Sequence, residues 1–151
     1  MLNNHDKLVI VMVGLPARGK SYIAKKLSRY LNWLHIETRI YNVGNRRRGL
    51  LSKDIEKPSV PHSSDFFDPD NAEAKLLREQ VAMETLDELL DHILLHDGTV
   101  AILDATNSSR ERRILMLDHI RQRGGPDLPV LFIESQCSNE QVGVAFEYME
   151  F

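Results

Sequence analysis

Gly14-Leu15-Pro16-Ala17-Arg18-Gly19-Lys20-Ser21 fits the spacing G-x-x-x-x-G-K-[ST]. Each residue type suits a grip on phosphate: glycines let the backbone curl until successive N–H groups face oxygens, the lysine supplies a fixed charge reaching the β- and γ-phosphates, and the serine hydroxyl can ligate Mg²⁺. The motif follows the apolar run Leu8–Val13 and precedes a segment in which Ile23, Leu27, Tyr30 and Leu31 share one helical face. It stands at a strand-to-helix junction, where the helix dipole adds to the attraction for an anion.

A carboxylate, Asp104, closes the apolar run at residues 99–103. In an open α/β sheet ligands gather at the carboxyl ends of the strands. Asp104 therefore suits a Walker B role, holding Mg²⁺ directly or through water, or accepting the proton of an attacking hydroxyl. The plainer alternative is an aspartate capping the next turn. Directly after it come Thr106, Asn107, Arg110, Arg112 and Arg113: a hydroxyl, an amide and three guanidiniums. Arginine forks bind phosphate bidentately and stay charged. A second basic run, Arg46-Arg47-Arg48, follows residues 38–43, and Arg78 lies near the start of a long helical pattern. Taken alone these are solvated surface charges; taken with Asp104 they suggest an acceptor that is itself phosphorylated.

The elements that must position these residues alternate. Leu8–Val13, 99–103 and 130–133 are short, β-branched-rich apolar runs, the composition of strands buried on both faces of a parallel sheet, and 38–43 reads as an edge strand. Helical patterns cover the segment after the glycine-rich loop, residues 71–95 with Leu86, Leu90, Ile93 and Leu94 recurring, residues 110–123, and residues 139–150. Pro69 and Asp70 head the long helix and Gly98 follows it. The expected fold is a P-loop NTPase-type parallel sheet flanked by helices on both faces. Residues 44–68 lack periodicity, contain Pro58 and Pro61, and read as a substrate loop or lid.

With 151 residues, 42% of them apolar, the chain has the size and core of one domain. A net charge of −3 argues against nonspecific binding to nucleic acid or an anionic membrane. One cysteine, Cys137, allows no internal disulfide, no signal-peptide plan opens the chain, and no apolar run approaches the roughly 20 residues that cross a bilayer. The expectation is a soluble, cytoplasmic protein; its oligomeric state is not legible.

In order and spacing, "VMVGLPARGKSYIAKKLSRYLNW", "YNVGNRRR", "FFDPDNAEA", "ILDATNSSRERR" and "FIESQC" closely resemble the kinase domain of 6-phosphofructo-2-kinase/fructose-2,6-bisphosphatase, from about Lys7 to Cys137. The resemblance implies transfer of the γ-phosphoryl group of MgATP to the 2-hydroxyl of fructose 6-phosphate. It puts Gly14 to Ser21 around the nucleotide phosphates, Lys20 and Ser21 at the γ-phosphate and metal, and Asp104 at the metal or acceptor hydroxyl. Arg47, Arg78, Thr106 and Arg112 match the family's fructose 6-phosphate contacts. Cys137 matches a cysteine near the nucleotide, or is a small buried apolar side chain. The family commonly reads G-E-Y-R-R where this chain has Gly44-Asn45-Arg46-Arg47-Arg48, and Asp68 replaces a commonly basic residue. Because no glycine or proline closes the last helical pattern before Phe151, residues 1–151 are expected to be a P-loop kinase domain truncated at its C-terminus. A family lysine further on, acting at the transferring phosphoryl group, then lies outside it. Two other readings stand beside this one: another P-loop small-molecule kinase, or a nucleotide-binding fragment or regulatory module without turnover.

Overall fold

Successive residues of the first strand alternate between two cores. Val9 and Val11 pack into one apolar cluster and Ile10 and Met12 into another, on opposite faces of a sheet, as the two-residue period of a strand requires. The computed structural model describes residues 6–46, 72–96 and 98–137. In it β1 (Leu8–Val13) leads through α1 (Lys20–Trp33) to β2 (Thr38–Asn42); α2 (Ala72–Leu95) precedes β3 (Val100–Asp104), and α3 (Arg110–Gly124) precedes β4 (Val130–Glu134). The four strands form one sheet in the order β2-β3-β1-β4. Every pairing is parallel, with Leu8 opposite Val100, Thr38 opposite Val100 and Val9 opposite Val130.

Helices cover both faces. Leu86, Leu89, Leu90 and Ile93 of α2 and Met116 and Ile120 of α3 meet Val9, Val11, Ala101 and Leu103 on one side. Ala24, Leu27 and Leu31 of α1 meet Ile10, Met12 and Ile102 on the other. Each fully buried aliphatic side chain contributes about 1.5–3 kcal/mol. α3 is closed at both ends: the Ser109 hydroxyl accepts the Arg112 N–H, and Gly125, at φ 82°, returns its N–H to the Arg121 carbonyl.

Three expectations are corrected. The inward stripe of α1 runs through Ala24, Leu27 and Leu31, whereas Ile23 and Tyr30 are exposed; the alanine, which allows close approach to the sheet, sets the helix's rotation. β4 is only half-buried, because among the described residues it pairs with β1 alone and Leu131 faces outward. Residues 43–46 form a helical turn rather than the start of a loop. The edge position of β2 agrees with the sequence, although Val43 belongs to that turn. The readings of 139–150 as a helix, of Pro69 and Asp70 as the head of α2, and of residues 47–68 as a lid lie outside the described residues.

Candidate functional site

Between β1 and α1 the chain takes positive φ at Gly14 (144°), Ala17 (56°) and Gly19 (82°). A Cβ at Gly14 would lie 2.7 Å from the Ser135 carbonyl oxygen, so only glycine fits. The loop is sewn to its neighbours at several points. Gly14 donates its N–H to the Thr106 carbonyl (3.0 Å), Ser135 donates its own to Val13 (2.8 Å), and the Ser135 hydroxyl donates to the Arg18 carbonyl. α1 begins at Lys20 with neither a side-chain cap nor an acidic residue in its first turn. The positive end of its dipole, with no carboxylate in the first turn to offset it, favours an anion. Lys20 is buried, and its Nζ donates to the Leu15 carbonyl at 2.6 Å, folded across the loop.

Asp104 is the last residue of β3 and is buried. Asn42, opposite it at the end of β2, donates from Nδ2 to Asp104 Oδ2 at 2.6 Å, while its Oδ1 accepts the Asn45 N–H at 2.7 Å. The sheet thus brings the phosphate loop and a buried carboxylate to one edge, the carboxyl ends of the strands.

A cleft of about 370 Å³ opens there. Pro16 of the phosphate loop lines it together with Arg78, Thr106 and Arg112. Three of the four acceptor contacts expected from the sequence therefore share one cavity; Arg47 lies outside the described residues. Arg112 is held by two partners, its Nε donating to Asn107 Oδ1 (3.1 Å) and its Nη1 to Glu79 Oε1 (3.0 Å). The other arginines of the two basic runs divide. Arg113 is tied to the carbonyls of Asn107 and Ser108. Arg46 pairs with Glu84 and Glu88 on α2; the bond to Glu88 chiefly raises its already high pKa, so it serves as a clamp. Among the described residues no group of three His, Cys, Asp or Glu side chains could hold a metal. Ser21 and Asp104 suit Mg²⁺ nonetheless, because that ion is held by one or two protein oxygens and completes its octahedron with phosphate and water.

Sequence reasoning missed Asn42, Glu79 and Ser135 and left the Asn107 amide without a task. Only Asn107 carried a local signal, its place two residues past Ala105 in the string after Asp104. The rest act through partners distant in sequence.

A glycine-rich loop at a β-to-α junction, on a parallel sheet covered by helices on both faces, defines a P-loop NTPase-type α/β protein. Solved structures agree in fold. The Mycobacterium tuberculosis APS kinase CysC in complex with AMPPNP and APS superposes with a TM-score of 0.66 at 15% identity, over 96% of this chain and 73% of that one. The model of the 6-phosphofructo-2-kinase family matches residues 1–145, and the chain belongs to that family. It is 53% identical over 134 residues to 6-phosphofructo-2-kinase 1 of Saccharomyces cerevisiae, covering 89% of this chain and 16% of that protein. It is 44% identical over 142 residues to human 6-phosphofructo-2-kinase/fructose-2,6-bisphosphatase 3, covering 94% and 25%. The chain spans between 16% and 26% of the length of the curated relatives it matches.

Proposed function

We propose that this chain carries the nucleotide and acceptor sites of a 6-phosphofructo-2-kinase, which moves the γ-phosphoryl group of ATP to the 2-hydroxyl of fructose 6-phosphate. The observation that carries this reading is the shared cleft, in which Pro16 of the phosphate loop faces Arg78, Thr106 and Arg112 beside a buried aspartate. The loop amides and Lys20 hold the nucleotide phosphates, with Lys20 exchanging the Leu15 carbonyl for phosphate oxygens. Arg78 and Arg112, with Arg47, hold the sugar's phosphate, and Thr106 donates a hydroxyl. Asp104 orients the metal or takes the proton of the sugar hydroxyl. Mg²⁺ at Ser21 and Asp104 would neutralise charge on the phosphate oxygens, part of the electrostatic stabilisation on which phosphoryl transfer depends.

No described helix is long and apolar enough to cross a membrane. With soluble phosphorylated substrates, the proposal places the chain in the cytoplasm, without nucleic acid or membrane as a partner. The test is calorimetry of MgATP and of fructose 6-phosphate with the 151-residue protein. Both should bind; Lys20→Ala should abolish the first, and Arg112→Ala should weaken the second while sparing the first. Binding of MgATP with no response to fructose 6-phosphate would shift the reading to a P-loop kinase for another acceptor or a module without turnover.

A further inference from the structure

The β1–β3 ladder ends at Val11 opposite Leu103, although β1 continues to Val13. Beyond that point, while β1 stays paired with β4 on its other side, the β3 side of the chain finds its partners in the segment after Asp104. Gly14 bonds the Thr106 carbonyl, and the Met12 carbonyl accepts a 3.0 Å hydrogen bond from Asn107 Nδ2. The other end of the same amide, Oδ1, accepts the Nε–H of Arg112 at 3.1 Å. A carbonyl can only accept and a guanidinium can only donate, so the orientation of the amide is determined by its two neighbours. Asn107 is 1% exposed and sits at φ 46°.

These requirements select one residue type. A positive φ is easy for glycine, asparagine and aspartate. Glycine has no side chain to span the gap, and aspartate has no donor for the Met12 carbonyl. Of these three, asparagine alone joins the strand that feeds the phosphate loop to Arg112.

We infer that Asn107 is a positioning residue, which fixes the guanidinium of Arg112 relative to the phosphate loop and so sets where an acceptor's phosphate sits with respect to the nucleotide. The inference rests on the reading of the cleft as the acceptor site. Glu79 steadies the guanidinium from the other side through Nη1, but it belongs to α2 and leaves the distance to the phosphate loop unset.

The experiment compares Asn107→Gly and Asn107→Asp with the wild type, titrating each with MgATP and with fructose 6-phosphate and recording its melting temperature. Asn107→Gly keeps the backbone freedom and removes both side-chain bonds; fructose 6-phosphate affinity should fall about 10- to 100-fold, the range for losing a hydrogen bond to a charged group, with MgATP affinity nearly unchanged. Asn107→Asp keeps the acceptor for Arg112 but has no donor for the Met12 carbonyl, so its fructose 6-phosphate affinity should fall as well, again with MgATP affinity nearly unchanged. In an Arg112→Ala background, Asn107→Gly should have no further effect on fructose 6-phosphate. Equal weakening of both ligands, or an undiminished effect in the Arg112→Ala background, would show a merely structural role and overturn the inference. Should the glycine variant fail to fold, Asn107→Asp decides alone. A fall in fructose 6-phosphate affinity of about tenfold or more with MgATP affinity kept supports the inference; wild-type affinity for fructose 6-phosphate, or equal loss of both ligands, rejects it. A wild-type chain that binds no fructose 6-phosphate removes the acceptor reading and this inference together. A wild type that binds it no better than a folded Asn107→Gly removes the inference alone.

Discussion

Asn42 and Asp104 end adjacent parallel strands and are joined by a 2.6 Å hydrogen bond from the amide to the carboxylate. Asp104 is buried, and a buried carboxylate deprived of a donor is costly. Asn42→Ala should destabilise the protein by about 1–3 kcal/mol. Asn42→Asp sets a second carboxylate against the first, and like charges at that separation cannot both ionise freely. Its melting temperature without Mg²⁺ at neutral pH should fall below that of the alanine variant. Added Mg²⁺ should raise it more than it raises the wild type. Equal melting temperatures for the two variants, with or without the ion, would disconnect the pair from metal binding.

His92, near the end of α2, is buried with neither ring nitrogen hydrogen-bonded. Burial lowers its pKa from the usual 6.5, Arg39 and His96 add to that, and Glu37, 3.9 Å from Nε2, opposes it. Because the folded pKa lies below the unfolded one, the unfolded chain binds more protons between them. The contribution to stability is therefore complete above about pH 6.5 and is lost as pH falls from there through the folded value. Urea denaturation should show a lower midpoint at pH 5.5 than at pH 7.5 for the wild type, and a smaller difference for His92→Leu. An unchanged pH dependence in the leucine variant would mean that His92 meets no penalty on protonation.

Asp87 of α2 faces α3, with His119 Nε2 at 2.7 Å, Arg123 Nη1 at 2.9 Å, and Asp91 pairing with Arg123 Nη2 at 2.6 Å. Burial would raise the Asp87 pKa, but the hydrogen bonds from His119 and Arg123 together outweigh it and hold the carboxyl below its usual value of 3.8. The stabilisation is present above about pH 4 and is lost as pH falls through the folded value. These side chains are partly exposed, so the effect of Asp87→Asn at neutral pH is small, about 0.5–1 kcal/mol. It should shrink further in high salt and vanish in acid. Chemical denaturation at low and high ionic strength measures it; a salt-independent loss would point to packing instead.

The parts of this molecule legible in its sequence are those whose causes are local. The phosphate loop occupies eight consecutive residues, and Leu86, Leu90 and Ile93 declare the buried face of α2 by their spacing. Asp104 follows an unbroken apolar run, so its place at a strand end could be read directly. Where a second segment decides the outcome, the reading failed or stopped short. The rotation of α1 depends on Ala24 fitting into the cluster of Ile10, Met12 and Ile102, and alanine gives a weaker periodic signal than Ile23 or Tyr30. The half-buried state of β4 depends on what lies beside it. Asn42 meets a partner 62 residues away, Asn107 one at 95, and Ser135 one at 117; no pattern in a single chain ties such pairs together.

The longest of these connections reaches the phosphate loop. The segment after β4 touches both ends of the phosphate loop: the Ser135 N–H bonds Val13, its hydroxyl bonds the Arg18 carbonyl, and its own carbonyl fills the space a side chain at Gly14 would need. Ser135→Ala removes only the hydroxyl bond. Since a neutral hydrogen bond is worth about 0.5–1.5 kcal/mol, MgATP affinity should fall about two- to tenfold as the loop loses its fixed shape, and Ser135→Thr should restore it. Gly14→Ala should be far more damaging, because the overlap is with backbone and cannot be relieved by turning a side chain. Calorimetric titration of MgATP into the three variants orders them as threonine, alanine at 135, then alanine at 14. If Ser135→Ala binds MgATP as tightly as the wild type, the loop holds its shape without this contact, and the Ser135 hydroxyl has no part in the nucleotide site.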